Sequence, residues 1–183
     1  LATTYASFLS YAFMPESRSF HNFMSFERTW LDEGGSADCL GRALQALGTC
    51  VGRSRREDLR RWAVDLFQQA LPSVTNTTSP RAWALGVIAI HEYFRRLSGD
   101  RTVNLMRDIL TQQLLDAFNE TCGEDWEWFE NVLSYDNARL SQALILSGRW
   151  SNRTEALDVG LRSLRWLMRE QTAESGHFRP IGS

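Results

Sequence analysis

Apolar positions recur along the chain at two kinds of spacing. In residues 56–71, Leu59, Trp62, Ala63, Leu66, Phe67, Ala70 and Leu71 follow i, i+3, i+4 intervals, which is the pattern of a helix with one buried stripe. Residues 101–119 repeat it through Val103, Met106, Leu110, Leu114, Ala117 and Phe118, and residues 153–171 through Leu157, Leu161, Leu164, Leu167 and Met168. Segments of another kind lie between these. Ala82 to Ile90 is apolar at all nine positions, Gly86 included, and the stretches from Leu40 to Leu47 and from Ala138 to Leu146 carry few charges. A helix that is apolar all round has to be surrounded. The alternation therefore predicts an inner layer of helices over 38–51, 80–97 and 136–148, and an outer layer over 56–71, 101–119 and 153–171.

Punctuation residues agree with these limits. Ser54 to Glu57 reads as a capping box, as does the looser Asn152 to Glu155. Ser79-Pro80 reads as an N-cap followed by an N1 proline. Gly52, Gly99 and Gly148 each follow an inner helix, where a left-handed C′ residue is wanted, and recur at intervals of 47 and 49 residues. A period near 48 corresponds to one helical hairpin per repeat. Inner-to-outer links such as 98–100 are tight, whereas the outer-to-inner links 72–79, 120–135 and 172 onward are long. A ring of hairpins with one elaborated rim accounts for that asymmetry. The expected architecture is all-α: an α/α toroid in a single domain, with about three and a half hairpins of an incomplete ring. Residues 1–37 supply a partial helix and a rim loop, 38–171 the three hairpins, and 172–183 the start of the next rim loop. Within the first segment, Ser19 to Phe26 alternates polar and apolar, which suggests a short strand or extended loop, and 176–181 is similar.

Composition narrows the partners. The net charge of −2 provides no electrostatic basis for nucleic acid or an anionic membrane. No apolar run reaches 18 residues and no signal peptide is apparent. All 20 basic residues are Arg, which reads as the bias of a GC-rich genome and excludes lysine Schiff-base chemistry. Cys39, Cys50 and Cys122 form no close pair, so a reduced, cytoplasmic setting is expected. The Asn-x-Thr triplets at Asn76, Asn119 and Asn152 read as chance. Leu1 is not an initiator, so the chain is expected to begin inside a longer parent. No glycine-rich phosphate loop, nucleophile elbow or zinc motif is present, and no cofactor or metal is expected.

Parallel inner helices present their N-terminal ends together, and the polar clusters concentrate there. That rim should collect Trp30, Asp32, Glu33, Asp38 and Arg42, then Arg81 and Trp83, then the runs Asp125 to Glu130 and Tyr135 to Arg139, and last His177 and Arg179. Flat aromatic faces with carboxylate, amide and guanidinium groups suit a sugar. Asp38, Glu130 and Asp136 are the candidate acid, base or nucleophile of a glycoside hydrolase. Arg42, Arg81, Trp126, Trp128, Tyr135, Asn137, Arg139 and His177 are the candidate substrate contacts. Plainer roles compete: Trp126, Trp128 and Phe129 as a plug in the mouth, Asp38 and Asp136 as N-caps, Arg42 and Arg139 as their structural partners, and His177 as a loop residue.

Five motifs stand in order along the chain: FMSFERTWL at Phe23–Leu31, DCLGRAL at Asp38–Leu44, SPRAWA at Ser79–Ala84, WEWFE at Trp126–Glu130 and YDNARL at Tyr135–Leu140. Together they resemble the helical six-hairpin-glycosidase-like domain of bacterial proteins associated with, or fused to, GT-B glycosyltransferases. The resemblance spans nearly the whole chain and implies a glycosyltransferase partner or fused domain, but it carries no catalytic residues. Two departures stand out. Ala37 lies where a more acidic stretch is expected, and a closed six-hairpin ring would need roughly 290 residues. Three functions follow as alternatives: an enzyme acting on glycans, a non-catalytic glycan-binding or scaffold module, and a helical protein-interaction domain. An open half-ring is also expected to self-associate through its uncovered apolar sides.

Overall fold

A computed structural model describes residues 1–181. The closing residues 182 and 183 of the expected last rim loop lie outside the described residues. Seven helices dominate: α1 (Ala2–Ala12), α2 (Ala37–Arg53), α3 (Glu57–Val74), α4 (Pro80–Leu97), α5 (Arg101–Thr121), α6 (Ala138–Ser151) and α7 (Thr154–Glu170). Two short strands, β1 (Phe13–Met14) and β2 (Ser19–Phe20), pair antiparallel after α1. The described chain is thus all-α, and the six helices of the hairpins fall within a few residues of their predicted spans.

The helices pack in two rows. α4 lies between α2 and α6, and each of these three packs against the helix that follows it in the chain: α3, α5 and α7 respectively. Neighbouring outer helices touch little. One buried apolar cluster joins the rows, with Leu44, Leu47, Ala89 and Ile90 from the inner row meeting Phe67, Leu71, Leu110 and Leu114 from the outer row. Every position from Ala84 to Ile90 is buried, as the apolar run required.

Local chemistry sets the helix starts. Ser36 Oγ accepts from Cys39 N at α2, Ser79 Oγ accepts from Ala82 N with Pro80 at the first position of α4, and Asp100 Oδ1 accepts from Val103 N at α5. Two expected capping boxes are absent. Ser54 Oγ accepts from Arg56 N, and α3 begins only at Glu57 with no side-chain cap. Asn152 is instead the left-handed C-cap of α6, at φ 52°, a conformation that asparagine tolerates.

The recurring glycines also differ from expectation. Gly52 and Gly148 lie inside their helices, and neither they nor Gly99 has positive φ. A Cβ on Gly52 would overlap the Glu92 carbonyl oxygen of α4, and one on Gly148 would press on Leu157 of α7. These two positions need glycine for close helix approach, not for a turn. Gly99 sits in open space.

The segment 21–35 is an extended rim loop, not a continuing strand. The Asp32 carboxylate accepts from the backbone amides of Asn22, Phe23 and Gly35 at 2.8–3.0 Å. The amide of Phe23 above all holds this carboxyl below the usual carboxylate range. His21 stacks on Trp30 at 4.6 Å. The 172–181 segment closes similarly, through a bridge between Thr172 and Phe178.

Candidate functional site

Of the expected site residues, Asp38, Arg42, Arg81, Glu130, Tyr135, Asp136 and Asn137 are linked by contacts near the N-terminal ends of the inner helices, while Tyr135, Asp136, Asn137 and Arg139 line a cleft there. Asp38 lies in the first turn of α2, and Arg42 one turn on, so their side chains share a face. Arg42 Nε donates to Asp38 Oδ2 at 2.8 Å, and Arg42 Nη2 meets Asp136 Oδ2 at 2.9 Å. One guanidinium therefore joins the entrances of α2 and α6. Neither acid is a helix cap. Ser36 caps α2, and Asp136 precedes the Asn137 N-cap of α6 with φ at +51°. That left-handed turn is accessible to aspartate.

Arg81, in the first turn of α4, is the buried hub. Its Nε donates to the Tyr135 carbonyl at 2.6 Å, Nη1 to both oxygens of Glu130 at 2.5 and 2.7 Å, and Nη2 to Asn137 Oδ1 at 3.0 Å. A buried charge persists only when paired and hydrogen-bonded in this way. Asn137 is committed too: its amide exchanges hydrogen bonds with the backbone of Ser134. The Tyr135 ring lies over the Arg81 guanidinium at 4.8 Å, and its hydroxyl donates to Asp38 Oδ1 at 3.1 Å. Partial burial, and then the Asp38 charge, push this phenol above its ordinary value. Tyr135 nonetheless stays 50% exposed.

The tryptophans are placed elsewhere. Trp128 has no exposed surface, stacks on Trp166 of α7 at 5.8 Å, and its Nε1 finds no acceptor among the described residues. Trp126 is half-buried edge-on to Trp166, with Nε1 donating to the Glu130 carbonyl. Glu127 pairs outward with Arg162 and Arg169 of α7. The run 126–129 is thus a plug that anchors the rim to the outer row. Trp128 presents no stacking face. His177 is exposed in the tight turn 173–177, bonded to Ser175, and does not line the cleft below.

An open cleft of about 530 Å³ lies at the entrance of α6, lined by Tyr135, Asp136, Asn137, Arg139 and Gln142 on one side and by Gln171, Phe178, Pro180 and Ile181 on the other. Its size falls within the usual range for ligand pockets, about 300–1,000 Å³. Gln142, Gln171 and Phe178 are additions that spacing along the chain did not single out. Gln142 lies at i+3 from Arg139, whose Nη1 donates to Gln142 Oε1 at 2.9 Å, so a helical wheel begun at Arg139 could have found it. Among the described residues no group of three His, Cys, Asp or Glu is placed to hold a metal, and no helix is long and apolar enough to cross a membrane. Set against family models, curated proteins and solved structures, the chain has no match in any of the three.

Proposed function

We propose that this chain is a glycan-binding part of an α/α toroid, six-hairpin-glycosidase-like in plan, with its sugar site in the cleft at the entrance of α6. The toroid reading is supported by the inner row α2–α4–α6, each member paired with an outer helix. The observation that carries the function is the pairing of two exposed aromatic side chains, Tyr135 and Phe178, with Asp136, Arg139, Gln142 and Gln171 around one cleft. Aromatic faces pack on the apolar face of a sugar ring, and the acid, amides and guanidinium take its hydroxyls. The motif resemblance supports a glycosyltransferase as partner or fused neighbour.

Hydrolysis is the second reading, favoured by the approach of Asp38 and Asp136 to a common point. A glycosidase needs its two carboxyl groups on opposite sides of the scissile bond with the substrate between them. Here Arg42 occupies that space, bonded to both. Glu130 has both oxygens on Arg81. The geometry favours recognition over turnover.

A glycan array probed with the protein, followed by titration of the best ligand, tests the reading. Tyr135→Ala is expected to weaken binding by about tenfold, as loss of an aromatic contact does. Asp136→Asn is expected to change affinity modestly. If Asp136→Asn instead abolishes product formation while affinity is kept, the hydrolytic reading replaces this one. Binding of no glycan at all sinks both.

A further inference from the structure

We propose that the α6 cleft selects acidic sugars, with Arg139 as the group that binds the carboxylate of a uronic acid unit; this rests on the glycan reading of the same cleft. Arg42, Arg81 and Arg139 stand at the entrances of the inner helices, and their commitments differ. Arg42 is held between Asp38 and Asp136 at 2.8 and 2.9 Å. Arg81 is buried on Glu130 and Asn137. Arg139 lines the cleft, and its hydrogen bond is to the neutral amide oxygen of Gln142. Among the described residues, no carboxylate lies within 4.0 Å of its guanidinium.

The cleft therefore holds in Arg139 a guanidinium with no ion-pair partner among the described residues, beside aromatic and amide groups and an Asp136 already engaged by Arg42. A planar guanidinium with donors to spare matches a planar carboxylate in a two-pronged geometry. Asp136 shares the Arg42 guanidinium with Asp38 through its Oδ2, and its Oδ1, with no bond among the described residues, is left to accept a sugar hydroxyl. Tyr135 has Arg81 and, further off, Arg42 over its ring at 4.8 and 6.0 Å, and its exposed half lines the same cleft as Arg139.

The probes are oligogalacturonide, oligoglucuronide and alginate oligomers, each paired with its methyl ester, titrated calorimetrically into the protein. Esterification removes the charge and keeps the ring. The acid form of at least one pair is expected to bind about tenfold more tightly than its ester, as a charge-assisted hydrogen bond supplies, with the preference shrinking as salt rises. Arg139→Gln should weaken the acid far more than the ester, so that the two bind alike, and keep the melting temperature; Arg139→Lys should retain part of the preference. Equal binding of acid and ester, or equal loss of both in Arg139→Gln, overturns the acidic selectivity while the glycan reading stands. Binding of neutral oligosaccharides only does the same. If neither charged nor neutral oligosaccharides bind, both fall.

Discussion

Trp128 and Tyr135 are seven positions apart in the rim and have opposite roles. Trp128 is fully enclosed against Trp166 and Phe129, with an indole N–H that lacks an acceptor among the described residues. Tyr135 is half open and is tied through its hydroxyl, its carbonyl and a ring that lies over Arg81 and, further off, Arg42. Trp128→Ala is accordingly expected to destabilise the fold by about 3–5 kcal/mol, the range for emptying a large aromatic site. Tyr135→Ala should cost about 1 kcal/mol or less and act on binding instead. Urea denaturation of both variants checks the pair, and equal stability losses would mean that the plug and the cleft are assigned the wrong way round. The sequence showed both residues as rim aromatics, and periodicity could not separate them. Which face of an irregular loop is covered depends on helix α7, where Trp166 lies 38 residues beyond Trp128.

At the scale of the elements, the contact between α2 and α4 bears most of the weight. Small residues let the two backbones approach, and Gly52 meets the Glu92 carbonyl there. Gly52→Ala is expected to cost about 1–3 kcal/mol by overpacking. Gly99→Ala, in open space and without positive φ, should be neutral or slightly stabilising. Thermal melts compare the two directly; a loss at Gly99 equal to that at Gly52 would restore the turn role that spacing alone suggested.

The same pair of helices carries a charge clamp. Arg53 Nε and Nη2 each donate to Glu92 at 2.6 Å and hold its carboxyl below its ordinary value of 4.5. A carboxylate depressed in the folded state adds stability above the unfolded value and loses it as pH falls through the folded one. The destabilisation caused by Glu92→Gln should therefore be largest near neutrality and shrink as pH falls below 4.5. A difference that stays constant from pH 7 to pH 3 would refute the clamp.

For the whole molecule, α4 is the keystone. It packs on α2, α6 and α5, and its apolar run is enclosed on every side. α1 has slight contact with α3 and leaves Tyr5, Phe8 and Tyr11 largely exposed. Local opening is expected to follow this gradient. In hydrogen exchange the amides of α4 should be the slowest and those of α1 the fastest. Protection of α1 equal to that of α4 would mean that another surface covers it in solution, which is what self-association through the uncovered apolar side would produce.

Helix positions and the division into inner and outer rows were legible because burial imprints itself locally. A helix surrounded by protein is apolar at every turn, as from Ala84 to Ile90, and one that faces water keeps a single stripe, as around Leu66 and Phe67. The meeting of Asp38, Arg42 and Asp136 was also foreseeable, because parallel helices bring like ends together. Arg42 as the structural partner of those acids was among the expected roles, but the partner of Arg81 was not. Arg81 and Glu130 are 49 residues apart, and their bond depends on how the 122–137 loop folds back. The left-handed turn at Asp136 and the burial of Trp128 against α7 belong to that same loop. Loop conformations are selected by contacts with distant elements and leave no period in the chain. The tertiary structure alone therefore decided that Arg42 and Arg81 are occupied and that Arg139 lines the cleft with no ion-pair partner among the described residues.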